Sequence, residues 1–133
     1  MDNKQRDVKP KILITEDDLE NQKFLQLILR RNFEVDVCDS ETTFFQKLSE
    51  NHFDVILMDV SLKGERSGVE IVRELKKHLA YKNIPVVCLS AHVFNQVQQQ
   101  AMNAGADVYL TKPVHNHKLI DTLTKLVNRE EVS

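Results

Sequence analysis

The chain has 133 residues, 41% of them hydrophobic and 29% charged, with a formal net charge of −2, the profile of one soluble domain with a single core. Its apolar runs are too short to span a bilayer, its opening residues MDNKQRDVKP lack the apolar stretch of a secretory signal, and its charge gives no ground for nucleic acid or an acidic membrane as partner. The elements then read in chain order. An apolar run at 12–14 predicts a first strand, and Phe24, Leu25, Ile28, Leu29 and Arg31 a first helix. A second strand is expected over 33–38, and a second helix through Phe44, Phe45 and Leu48, capped by Ser40. The run at 55–58 predicts a third strand, and Val72, Leu75 and Leu79 a third helix. Pro85 suits the start of the fourth strand at 86–89, and the next helix carries Val93, Val97, Ala101 and Ala104, opened by Asn95 and ended by Gly105. A fifth strand at 108–110 and a helix through Leu119, Leu123, Leu126 and Val127 close the pattern. Cys38 and Cys88 sit inside apolar runs without CxxC spacing, so both are expected as reduced core residues of a cytoplasmic protein. Residues 1–9 and 129–133 are expected to be tails around a domain spanning 10–128.

Strict alternation of strand and helix implies a single α/β domain, a doubly wound parallel sheet with right-handed crossovers. The first, third and fourth strands are nearly continuous in apolar residues, as strands covered on both faces should be. In such folds ligands sit beyond the carboxyl ends of the strands. The first strand ends in Thr15-Glu16-Asp17-Asp18, the third in Asp59, the fourth in Ser90-Ala91, and the fifth runs into Thr111-Lys112-Pro113. The second ends in Cys38-Asp39-Ser40, a plain turn and cap. Reactive groups on every strand but the second favour the order 2-1-3-4-5. Carboxylates converging there repel one another, which a divalent cation would relieve, and an all-oxygen site suits Mg²⁺. Lys112 adds a point charge and Ser90 a hydroxyl. Together these groups can hold a phosphoryl group, with a carboxylate as nucleophile.

The segments ILITEDD, VILMDVSL, PVVCLSAH and AGADVYLTKPV, in that order and spacing, resemble the receiver domain of two-component response regulators over residues 10–128. The resemblance implies a flavodoxin-like fold with five strands and the strand order already known for that fold. It implies that Asp59 accepts phosphate from a histidine kinase or a histidine phosphotransfer protein. Asp17 would bind Mg²⁺ (or Mn²⁺) directly, Glu16 mainly through coordinated water, and the Ser61 carbonyl would complete the protein ligands. Lys112 would contact the phosphoryl oxygens, before a cis bond to Pro113. Ser90 would bond the phosphoryl group, and Tyr109 would be the aromatic switch. The helix 4–strand 5–helix 5 face would then read out the state to a protein partner, with a phosphorylation-dependent dimer left open. One departure stands out: the loop SLKGERSGVEI has Lys63 and Gly64 where receivers commonly carry a proline, and from Asp59 to Gly68 it is about one residue longer than the commonest form.

Other readings fit these residues less well. Asp18 reads as a helix cap rather than a third ligand, and His115 and His117 as solvated rather than metal-binding. His92 reads as an exposed loop residue, while His52 and His78 carry no signal. A haloacid-dehalogenase-like phosphatase also uses a strand-end aspartate, but Ser61 stands where its general acid should be, so an enzyme is not expected. A degenerate receiver acting as a constitutive binding module conflicts with the complete set of acids, serine and lysine. No output domain is expected after the fifth helix. That leaves a stand-alone regulator, favoured by Met1, or the receiver of a hybrid kinase.

Overall fold

The computed structural model describes residues 8–60, 67–91 and 95–129. Strand and helix alternate through β1 (Lys11–Thr15), α1 (Leu19–Leu29), β2 (Glu34–Cys38), α2 (Glu41–Glu50), β3 (Val55–Asp59), α3 (Gly68–Leu75), β4 (Val86–Ser90), α4 (Asn95–Ala104), β5 (Val108–Thr111) and α5 (Asn116–Val127). All pairings are parallel, in the order β2-β1-β3-β4-β5, as the distribution of reactive residues implied. β3 and β4 are buried at every position, and β2 and β5, at the edges, only in part.

The two-residue period of the strands sorts their side chains onto two faces. Leu13, Ile56, Met58, Val86 and Cys88 face a core built with Phe44 and Leu48 of α2, Val69, Ile71, Val72 and Leu75 of α3, and Ala101 and Ala104 of α4. Ile12, Ile14, Val55, Leu57, Val87 and Leu89 face the other way, against Leu25 and Leu29 of α1 and Leu119 and Leu123 of α5. Three helices therefore cover one face and two the other. α4 contributes only two alanines to its core, whereas α3 buries five residues.

Local chemistry fixes the helix ends. The Asp18 carboxylate accepts from the Asn21 N–H to cap α1, and Ser40 forms a reciprocal capping box with Thr43 at α2. Ser67 does the same with Glu70 at α3. Gly105 follows α4 at φ +117°, a conformation side chains rarely adopt. Cys38 and Cys88 are buried free thiols, and burial pushes them up to about 11 and about 12.

Several boundaries differ from the expectation. α3 ends at Leu75, so Leu79 is not part of its apolar stripe and stands 84% exposed. The chain instead folds back there, where the Lys76 ammonium donates to the carbonyls of Lys82 and Ile84. Phe24 is 51% exposed because Leu25, about 100° further round the helix, takes the core position. Arg31 lies beyond the end of α1, and Phe33 packs in the core just before β2 begins. Val93 lies outside the described residues, as does the loop containing Lys63 and Gly64.

Gly68 is the tightest contact behind the site. A Cβ there would lie 2.3 Å from the Asp59 carbonyl oxygen and 2.9 Å from Val60 Cα, both backbone atoms of the central strand's end. Gly68→Ala must push α3 away from β3, so it should cost about 1–3 kcal/mol, read as a lower thermal midpoint. An unchanged midpoint would show that α3 can withdraw freely.

Candidate functional site

The sheet register brings the strand-end residues together. Thr15 pairs with Met58, Asp59 with Leu89 and Ser90 with Thr111, so the strands end nearly level. Continuing the alternation past the paired residues places Glu16 after Ile12 and Ile14, Asp59 after Val55 and Leu57, and Lys112 after Val108 and Leu110. Each of those apolar pairs faces α1 and α5. Glu16, Asp59 and Lys112 are thus the polar ends of three rows on one face.

The distances agree with that placement. Lys112 Nζ lies 3.7 Å from Glu16 Oε1 and 3.7 Å from Asp59 Oδ2. Glu16, Asp17 and Asp59 each offer an oxygen within 4.8 Å of the others. Glu16 and Asp59 are buried, at 2% and 6% exposure, and Asp17 is half-buried. Burial and a side-chain hydrogen bond to Asp59 push Glu16 up from 4.5 to about 7, against the lowering effect of the Asp18 N–H and of Lys112. This is the only group of three or more potential metal-ligating side chains among the described residues. Its donors are all carboxylate oxygens gathered at one point, which fits a hard divalent cation such as Mg²⁺ and not a thiolate- or imidazole-seeking metal.

The surrounding groups complete the hollow. Ser90 ends β4 fully buried, and its carbonyl accepts from the Lys112 N–H at 2.7 Å. The Lys112–Pro113 bond is cis, as the resemblance implied. Tyr109 is half-buried on the edge strand and packs against the core that includes α4. Asp18 caps α1 and is not among the clustered ligands. Ser61 and His92 lie outside the described residues, whereas His115 and His117 are exposed. An apolar groove of ≈ 270 Å³ opens beside the acids between α1 and α5, with Glu16 and Lys112 in its lining. A larger cleft of ≈ 490 Å³ lies at the amino end of the sheet, around Phe53, Tyr81 and Pro85, away from these groups.

One residue of the site escaped the sequence reading. The Gln22 side-chain amide donates to the Glu16 backbone carbonyl at 2.5 Å. Its signal was a polar residue in the row 22, 25, 29, whose other two members are buried leucines.

The sheet order, with acids grouped at its strand ends, is that of an α/β module of the receiver type. The family model for the response regulator receiver domain matches residues 12–124, and the chain belongs to that family. It is similar to the polar-differentiation response regulator DivK of Brucella ovis, 30% identical over 113 residues, 84% of this chain and 91% of the relative. It is also 29% identical over 122 residues to hybrid signal transduction histidine kinase M of Dictyostelium discoideum. That match covers 87% of this chain and 5% of the kinase, so the chain spans a small part of that relative's length. The receiver domain of Francisella response regulator 1452 superposes with a TM-score of 0.83 at 27% identity, over 91% of this chain and 98% of that one. Receivers of this family are regulatory phosphoacceptor modules that bind Mg²⁺ at an acidic pocket. Among the described residues no helix is long and apolar enough to cross a membrane.

The Glu16 shift makes metal binding and stability depend on pH. In the unfolded chain Glu16 ionises near 4.5 and in the folded metal-free chain near 7. The folded state therefore holds more protons between those values, and metal-free stability should fall as pH rises through that window. Cation binding requires the ionised acids, so the rise in thermal midpoint on adding Mg²⁺ should be larger at pH 8 than at pH 5. Equal increments at both values would contradict it.

Proposed function

We propose that residues 10–128 form a phosphoacceptor unit in which Asp59 takes a phosphoryl group from a histidine kinase or a histidine phosphotransfer protein. The observation that carries this reading is the meeting of Glu16, Asp17 and Asp59 at one point with Lys112 Nζ 3.7 Å from Asp59. A carboxylate oxygen of Asp59 attacks phosphorus, the bond from phosphorus to the donor's imidazole nitrogen breaks, and the electron pair stays with the imidazole. The product is an acyl phosphate on Asp59. Lys112 lies near enough to take the new phosphoryl oxygens as partners in place of the two acids. The Ser90 hydroxyl, at the end of the neighbouring strand, is the donor expected to reach the phosphoryl group.

Glu16, Asp17 and Asp59 would hold Mg²⁺ (or Mn²⁺), with the Ser61 carbonyl as a further ligand. The cation supplies charge neutralisation that lets an anionic donor approach a cluster of anions. Leu19, Phe24 and Leu27 stand exposed on α1, and Phe24 lines the groove that reaches Glu16 and Lys112, apolar surface that an approaching donor protein can cover. Movement of Ser90 toward the phosphoryl group would be transmitted to Tyr109 on the adjoining strand β5, and to the face formed by α4, β5 and α5. That face would bind a protein partner, as a stand-alone regulator or within a larger kinase.

A small-molecule acyl phosphate with Mg²⁺ should add one phosphoryl mass to the chain, and Asp59→Asn should abolish the addition, read by intact-protein mass spectrometry. Labelling that persists in the variant would move the acceptor elsewhere. Lys112→Ala should still bind Mg²⁺ but lose the phosphorylation-induced change in the α4–β5–α5 face, followed by amide exchange. A full change in that variant would remove the role given to Lys112.

A further inference from the structure

We propose that Gln22 is a positioning residue for the metal-binding acids, setting the affinity of the site for a divalent cation through the Glu16 backbone. The inference rests on the receiver reading of Glu16 and Asp17. Pairing of β1 with both neighbours runs out at Thr15, opposite Cys38 and Met58, so the Glu16 carbonyl lies past the last paired residue of the strand. The Glu16 N–H is held by the Cys38 carbonyl at 3.0 Å. Its carbonyl accepts from the Gln22 amide, one turn into α1.

That carbonyl belongs to the planar peptide unit joining Glu16 to Asp17. Fixing its direction fixes the plane from which the Asp17 Cα–Cβ bond departs, so Gln22 aims Asp17 through the peptide unit. The Glu16 side chain has its own tether, the Asp18 N–H donating to Oε2 at 3.2 Å. Asp18 is in turn tied to α1 by accepting from the Asn21 N–H at 3.0 Å. The acidic loop is thus fastened to the first turns of α1 at its side chain, its cap and its peptide plane, and Gln22 supplies the last.

A merely structural hydrogen bond would predict a different outcome. Gln22 is half-buried and lines a shallow pocket of ≈ 210 Å³ with Cys38, Asp39, Thr43 and Lys47, so water can reach the carbonyl once the amide is gone. Water can satisfy that oxygen but cannot hold its direction, so the loss falls on metal affinity more than on stability.

The test compares the full wild-type chain with Gln22→Leu and Gln22→Met, which keep the bulk and remove the donor, and with Gln26→Leu on the exposed side of the same helix. Mg²⁺ half-saturation is measured by calorimetry and by the shift in thermal midpoint. Labelling by a small acyl phosphate is followed across Mg²⁺ concentrations. Both Gln22 variants should need about tenfold more Mg²⁺, the lower end of the range for groups that orient metal ligands. Their maximal labelling rate at saturating Mg²⁺ should match wild type, and Gln26→Leu should match wild type throughout. If the leucine variant does not fold, the methionine variant decides. Wild-type half-saturation in a folded Gln22 variant, with or without a lower metal-free midpoint, overturns the inference. A wild-type chain that takes up no Mg²⁺ removes the receiver reading itself, a result distinct from the first.

Discussion

The parallel register of β1, β3, β4 and β5 is the constraint on which the site depends. Thr15 opposite Met58 and Asp59 opposite Leu89 bring Glu16 and Asp59 level on one face, within reach of the lysine that follows β5. A slip of one residue would turn Asp59 toward the core containing Met58 and Cys88 and bring a methionine into the hollow. The close packing of differently shaped side chains against the helices on the two faces of the central strands resists that slip. The packing that stabilises the sheet and the geometry that gathers the acids are one set of contacts.

The same arrangement is electrostatically costly. Two buried carboxylates and one half-buried carboxylate gather beside the Lys112 ammonium, and burial with the hydrogen bond to Asp59 pushes Glu16 up to about 7. Replacing these acids with neutral residues would relieve repulsion at the strand ends and remove the chemistry as well. Such a conflict between stability and activity is expected where a site must attract charge from outside. Gly68 shows a steric counterpart, since the chain gives up a side chain so that α3 can start directly against the Asp59 carbonyl.

Much of this was legible in the sequence, because the sheet writes its faces with a period of two and the fold places reactive groups at strand ends. The absence of chemistry after the second strand favoured a sheet order already known for this fold. Asp59, Glu16, Asp17 and Lys112 could be named because a charged residue ending an apolar run is costly unless some chemistry uses it. Helix faces were less legible. Phe24 and Leu25 are adjacent apolar residues, and only tertiary packing chooses which one enters the core. Leu79 continued a helical spacing that the chain abandons where Lys76 bonds to two carbonyls downstream. Gln22 left only a faint mark, a polar residue in line with two buried leucines, because its partner is a backbone carbonyl that the sequence does not single out. The shortage of space at Gly68 is likewise set by the approach of two backbone segments that meet only in the folded chain.

α4 holds to the sheet mainly through Ala101 and Ala104, with Val97 partly covered. Two methyl groups contribute on the order of 1–2 kcal/mol of burial, while α3 anchors itself with two valines, an isoleucine and a leucine. A helix so lightly moored can change its seat for an energy comparable to one or two hydrogen bonds.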